Sequence, residues 1–218
     1  MFLDRFDAGA QLASRLQRHA RTDRTLVLAL PRGGVPVAFE IARTLQLPLD
    51  VLMVRKIGAP GQPELAIGAI AQIAGQRRVL VMNEEAYDQF SVQEDLITAN
   101  TQRAELELQR REQLYRGELS PQEFENRTVI VVDDGAATGA TMRAAVQALK
   151  SAGVKLVIAA LPVCSREAQR VLSAEADEVV CIAVPHSFFA VGQWYDDFRQ
   201  TSDDEVQELL TTSANSRR

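Results

Sequence analysis

The stretch VIVVDDGAATGAT, residues 129–141, decides the fold. An unbroken apolar run, Val129 to Val132, ends on Asp133 and Asp134. The chain then turns at once into small residues: Gly135, Ala136, Ala137, Thr138, Gly139, Ala140 and Thr141. A Val/Ile run without polar alternation reads as a strand buried on both faces, the kind found in parallel sheets. In such a sheet, ligands bind beyond the carboxyl ends of the strands, where loops feed helix N-termini. Small residues let backbone N–H groups approach an anion, and the helix N-terminus adds partial positive charge. Thr138 and Thr141 offer hydroxyl donors, while the paired carboxylates suit sugar hydroxyls or a divalent cation. No Gly-Lys-Ser/Thr follows, which excludes a nucleoside-triphosphate P-loop. A phospho-acceptor receiver domain would carry its acidic pair on the first strand. The plain structural alternative is a tight turn with a capping Asp.

Working outward, further apolar runs read as strands: TLVLAL (25–30), LDVLMV (49–54), LAIGAI (65–70), RVLVM (78–82), KLVIAAL (155–161) and EVVCIAV (178–184). Helical patterns fall at 35–45, 141–151 and 165–173, and Gly153 is a helix stop. The alternation predicts an α/β fold with a mostly parallel twisted sheet flanked by helices. Ser-x-x-Glu capping boxes at Ser91/Glu94, Ser120/Glu123 and Ser202/Glu205 mark helix starts, the second reinforced by Pro121. From Ser91 to about Arg116 the pattern predicts one long charged helix. Its Arg103, Arg110, Arg111 and Arg116 are mixed with glutamates, the signature of a solvated face or packing arm rather than a basic binding patch.

The 218 residues, 46% hydrophobic, suit one globular domain with a small subdomain. A net charge of -5 argues against nucleic acid as a partner. No apolar window is long enough to span a bilayer, and MFLDRFDAGA lacks the pattern of a signal peptide, so a cytoplasmic location is expected. Cys164 and Cys181 lie in strand-like contexts and read as small buried hydrophobes in a reducing compartment. His19 and His186 read as structural, and no base is spaced to activate a cysteine.

A second anion loop follows the first strand. In LPRGGVPVAFEIA, Gly33 and Gly34 open the 35–45 helix and Arg32 supplies a fixed cation. Next comes VRKIGAPGQPELAIGAI (54–70), whose Gly58, Pro60, Gly61 and Pro63 predict a mobile loop with Arg55 and Lys56 at its root.

Apolar strand, two acidic residues, short loop and Thr-Gly-x-Thr together resemble the phosphoribosyl-pyrophosphate motif of type I phosphoribosyltransferases. The resemblance implies that Asp133 and Asp134 hold the ribose hydroxyls and that Gly135 to Thr141 cradle the 5′-phosphate. Mg²⁺ would be the cofactor, met by the two aspartates only indirectly, through ribose hydroxyls or water. Arg32, Gly33 and Gly34 match the family's pyrophosphate loop, with a cis peptide implied at Pro31–Arg32. The 54–70 segment, with Arg55, Lys56 and Glu64, matches its flexible closing loop. The tail VPHSFFAVGQWYDDFRQ (184–200) is similar to a purine-salvage hood and implies an acceptor site of Phe189, Trp194 and Asp196. One extra residue between Pro185 and Gly192, and the nearness of Arg199 to Asp196, depart from that pattern. FLDRFDAGAQLASRL, the Arg-Gly-Gly loop and FAVGQWYDDF together resemble one branch of phosphoribosyltransferases over nearly the whole chain.

The implied organisation is a single domain (1–218) with a core at about 22–184, a hood from about 1–20 and 185–210, and a helical insertion at about 84–126. The implied activity is transfer of ribose 5-phosphate from phosphoribosyl pyrophosphate to a nitrogenous, purine-like acceptor. Arg32, Lys56, Asp133 and Asp134 would form the catalytic set of a homodimer in nucleotide metabolism. The alternative is a non-catalytic sensor of phosphoribosyl pyrophosphate or a nucleotide on the same fold.

Overall fold

A computed structural model describes residues 1–22, 24–59, 62–73, 77–82, 94–117 and 124–216. In chain order the elements are α1 (Arg5–Arg15), β1 (Thr25–Ala29), α2 (Gly34–Leu45), β2 (Leu49–Val51), β3 (Met53–Ala59), β4 (Gln62–Ile73) and β5 (Arg77–Met82). There follow α3 (Glu94–Arg116), β6 (Thr128–Val132), α4 (Ala140–Ser151), β7 (Leu156–Val163), α5 (Arg166–Glu175), β8 (Glu178–Ala183) and α6 (Asp203–Asn215). Short 3-10 turns sit at Gln17–His19 and Val191–Trp194.

Both faces of the central sheet are covered, as the continuous apolar strands require. β1 is buried throughout, and β6 from Val129 onward. On one face Val27, Ile130, Val132 and Ile158 pack against Leu12 and Ala13 of α1, Val37 and Ile41 of α2, and Val206 and Leu210 of α6. On the other, Leu26, Leu28, Val129, Val131 and Val157 meet Met142, Val146 and Leu149 of α4 and Leu172 of α5. Fully burying such side chains contributes about 1.5–3 kcal/mol each.

The five parallel strands run in the order β2-β1-β6-β7-β8. The chain leaves β1 toward β2 through α2 and leaves β6 toward β7 through α4. The two crossovers cover opposite faces, so the loops after β1 and β6 meet at a switch point of the sheet, the place where open α/β sheets bind ligands. Both anion loops read from the sequence lie there.

Two expectations need correction. The runs at 65–70 and 78–82 do not join the parallel sheet. They form β4 and β5 of a separate antiparallel sheet, ordered β3-β4-β5. The segment 54–70 is not a mobile loop, because Val54 to Ala59 and Gln62 to Ile70 lie in the paired strands β3 and β4. Glycine is absorbed there by register shifts at Ile57/Gly58 and Gly58/Ala59, and Pro63 stands near the strand start, where a missing donor is tolerated. Pro60 and Gly61 lie outside the described residues, as do Ser91, Ser120, Pro121 and Glu123 of two capping boxes.

The third box is present: Ser202 Oγ accepts the Glu205 N–H at 3.1 Å at the start of α6. The long helix exists as α3, and Glu107 pairs with Arg110 and Arg111 at its surface. Arg116 departs from the solvated-face reading. It is buried, at 2.9 Å from Asp50 Oδ1 and against Glu112, which also accepts from Gln72. This buried group ties the end of α3 to β2 and β4. No described helix is long and apolar enough to cross a membrane.

Candidate active site

The acidic pair leaves the end of β6 half-buried. Asp133 Oδ1 accepts the N–H of Asp134 at 2.9 Å. Burial pushes the Asp133 carboxyl well above the ordinary range, and the charge of Asp134 adds to this. Asp134 is also raised by burial, against the pull of Arg5. Asp133, its carboxyl buried with no cation on it among the described residues, would gain from a ligand that brings hydroxyls or a cation.

The Arg-Gly-Gly loop lies directly against this pair. A Cβ on Gly33 would stand 2.1 Å from Asp134 Oδ2, and one on Gly34 would stand 2.6 Å from the Val132 carbonyl and 3.0 Å from Asp133 Cα. The two glycines are therefore needed for contact between the loops. The Pro31–Arg32 bond is cis. Gly34 N–H donates to Leu30 O at 3.1 Å and so does not face an anion, while Gly33 N–H has no partner among the described residues. Arg32 Nη1 lies 3.6 Å from Asp203 Oδ1. Asp203 also accepts from the Tyr115 hydroxyl at 2.6 Å, and Tyr115 is raised to about 12 by burial and by that bond.

The small-residue loop is stitched to β7 and α5. Ala136 N–H donates to Val163 O at 3.0 Å, Ser165 N–H donates to Ala136 O at 2.9 Å, and Ser165 Oγ donates to Ala137 O at 2.5 Å. Ala136 is thus a fixed point of the loop rather than an anion donor. The N–H groups of Ala137, Thr138 and Gly139 have no partner among the described residues, and Ala137 and Thr138 are exposed. They precede α4, with Ala140 and Thr141 in its first turn. Free N–H groups ahead of a helix N-terminus are chemically suited to receive an anion.

Arg55 and Lys56 are exposed side chains on β3 rather than on a loop. β3 begins beyond the carboxyl edge of the sheet, where Leu52 N–H donates to Ala29 O at 2.9 Å. The three residues implied for the acceptor differ in their surroundings. Phe189 is 83% exposed. Trp194 packs among Phe2, Tyr195 and Phe198, and its Nε1 is buried without a partner among the described residues. Asp196 is exposed, and its N–H donates to Phe2 O at 2.9 Å.

Arg5 was not singled out from the sequence. Its Nε and Nη2 both lie 2.8 Å from Asp134 Oδ2, and its Nη1 donates to Arg199 O at 2.7 Å. Its guanidinium carbon stands 4.0 Å from the Phe198 ring centre. The Tyr195 hydroxyl donates to the Asp134 carbonyl at 2.6 Å, and the Phe2 N–H donates to Trp194 O at 2.8 Å. The segment at Phe2–Arg5 and the aromatic tail are thereby clasped together beside the acidic pair.

The histidines have partners that sequence reasoning did not supply: His19 lies 4.0 Å from Glu178, and His186 contacts Arg166. Cys164 and Cys181 are free thiols with sulfurs 3.2 Å apart. Among the described residues no group of three or more His, Cys, Asp or Glu side chains could hold a metal. Asp133 and Asp134 alone are too few to hold Mg²⁺ and would meet it only through water or ligand hydroxyls, since Mg²⁺ keeps water and phosphate oxygens as its usual ligands.

A family model described as phosphoribosyl transferase domain matches residues 2–197. Proteins from two Mycobacterium tuberculosis strains, provisionally named phosphoribosyl transferases, are 46% identical over 210 residues. The match covers 96% of this chain and 46% of each relative, so the chain spans about half the length of the curated relatives it matches. The crystal structure of TT1426 from Thermus thermophilus is 40% identical, covers 97% of this chain and 98% of its own, and has a TM-score of 0.84. The chain therefore belongs to the phosphoribosyl transferase domain family, and its core is the α/β fold of the type I members.

Proposed function

We propose that this chain transfers ribose 5-phosphate from phosphoribosyl pyrophosphate to a nitrogenous acceptor and releases pyrophosphate. The observation that carries the reading is the contact of Gly33 with Asp134. It supports the reading by bringing the Arg-Gly-Gly loop against the acidic pair that leads into the small-residue loop.

Asp133 and Asp134 take the ribose hydroxyls and orient the sugar. Ala137, Thr138, Gly139 and the first turn of α4 take the 5′-phosphate. Arg32 and the Gly33 N–H face the diphosphate, and Arg32 exchanges Asp203 for it. The bond between ribose C1 and the diphosphate oxygen breaks, with its electron pair leaving on the diphosphate. The acceptor nitrogen supplies the pair for the new bond and loses its proton to solvent. Asp133 and Asp134 would meet Mg²⁺ through ribose hydroxyls or water, and the ion would supply charge neutralisation for the leaving diphosphate. Arg55 and Lys56 extend the basic side of the entrance. Phe189, Trp194 and Asp196 belong to the acceptor side, with a purine-like base the favoured class. The reading extends to a cytoplasmic homodimer in nucleotide metabolism, which light scattering tests for assembly.

Pyrophosphate release is to be measured with phosphoribosyl pyrophosphate, Mg²⁺ and a panel of purine, pyrimidine and other nitrogenous acceptors. Acceptor-dependent release is expected. Donor binding with no release from any acceptor would place the chain among non-catalytic sensors instead.

A further inference from the structure

Arg5 and Asp134 are separated by 129 residues, yet they meet through two 2.8 Å contacts on a single carboxylate oxygen. Arg5 is 9% exposed, and its guanidinium is committed on every side. Nε and Nη2 go to Asp134 Oδ2, Nη1 goes to the Arg199 carbonyl, and one face covers the Phe198 ring. A buried guanidinium costs desolvation, which is offset only by a partner held in good geometry. Here the partner is one of the two carboxylates just beyond the carboxyl end of β6. Because both contacts converge on Oδ2, Oδ1 receives no side-chain donor among the described residues. The Asp134 carbonyl is held independently by the Tyr195 hydroxyl at 2.6 Å. Side chain and backbone of Asp134 are thus both gripped from the clasp of Arg5 with residues 195–199.

We propose that Arg5 is a positioning residue of the donor site. It fixes the Asp134 carboxylate so that Oδ1 meets a ribose hydroxyl, and it ties that grip to the segment Tyr195–Arg199. The role rests on the phosphoribosyl reading above. The guanidinium fork is essential to it: a lysine keeps the charge but cannot place two parallel donors on one oxygen while a third reaches Arg199.

The test is a double-mutant cycle on donor affinity. Arg5→Met and Arg5→Lys are made alone and combined with Asp134→Asn. Phosphoribosyl pyrophosphate with Mg²⁺ is titrated calorimetrically, and circular dichroism checks folding. Arg5→Met is expected to weaken donor binding by about tenfold or more, with Arg5→Lys intermediate. In the Asp134→Asn background, where no carboxylate remains to be positioned, the same substitution is expected to change binding by less than about twofold. A purely structural role for Arg5 would produce the same loss in both backgrounds, and that result overturns the proposal. So does unchanged affinity in Arg5→Met. Should Arg5→Met fail to fold, Arg5→Lys carries the cycle with the same criterion. Absence of donor binding by the folded wild-type chain overturns the phosphoribosyl reading and this role together. Wild-type binding that is indifferent to Arg5 overturns this role alone.

Discussion

Replacing Gly33 by alanine probes the contact between the two loops without disturbing the backbone. Gly33 has φ -61° and ψ -31°, a conformation alanine adopts freely, so the whole penalty is steric. The new Cβ would stand 2.1 Å from Asp134 Oδ2, 2.7 Å from its Cγ and 3.3 Å from Arg5 Nε. Ordinary contact begins at 3.4 Å, so carboxylate and loop must separate by about 1.3 Å. The oxygen that moves is the one Arg5 holds by two 2.8 Å contacts. Overpacking costs about 1–3 kcal/mol, and loss of a buried ion pair costs about 3–5 kcal/mol at most. A destabilisation of about 2–4 kcal/mol is expected, which for a chain of this length lowers Tm by about 5–15 °C. Scanning calorimetry reads that shift, and a parallel titration with phosphoribosyl pyrophosphate and Mg²⁺ is expected to show at least about tenfold weaker binding. A Gly33→Ala protein within about 0.5 kcal/mol of wild type, binding donor normally, would refute the reasoning, because the loops would not touch.

Asp133→Asn keeps an oxygen for the Asp134 N–H but removes a charge made costly first by burial and then by Asp134. The raised carboxyl means that stability held by the protonated form is lost as pH rises above 3.8 and through the raised value. Asp133→Asn is therefore expected to melt higher than wild type at pH 8, the gap closing toward pH 4, while donor-dependent stabilisation falls; a lower Tm at pH 8 would contradict this. Arg116→Met removes the guanidinium shared by Asp50 and Glu112 and is expected to cost about 3–5 kcal/mol in urea unfolding, with wild-type stability the contrary result. Tyr195→Phe deletes the hydroxyl on the Asp134 carbonyl and is expected to cost about 1 kcal/mol by the same assay, against no measurable change if that bond is idle.

The parallel core was legible because β1, β6 and β7 are apolar runs each followed by a helix with its own period. The two small-residue loops were legible for a related reason. Small residues at a strand end have few structural uses, and two such loops coincide at the switch point between β1 and β6. The hairpin of β3 and β4 was misread because Gly and Pro clustered over 58–63 signal a mobile loop and a hairpin turn alike. Only the pairing of the flanking residues decides between them. α1 had a usable signal: Asp4 caps it by accepting the Asp7 N–H at 2.8 Å. Arg5 had none. A lone arginine in the first turn of a helix carries no mark of a partner 129 residues away, and only the tertiary fold brings them together. Arg116 was hidden likewise, since a charged helix shows its average face and not the one side chain turned inward.

The central claim is that the crevice between β1 and β6 binds phosphoribosyl pyrophosphate through its acidic pair. The most direct measurement is a calorimetric titration of that donor with Mg²⁺ into the wild-type chain and into the Asp133→Asn/Asp134→Asn double variant, both shown to be folded. Saturable binding by the wild type and its loss in the double variant are expected. No binding by the wild type at millimolar donor, or equal binding by the two proteins, would contradict the account.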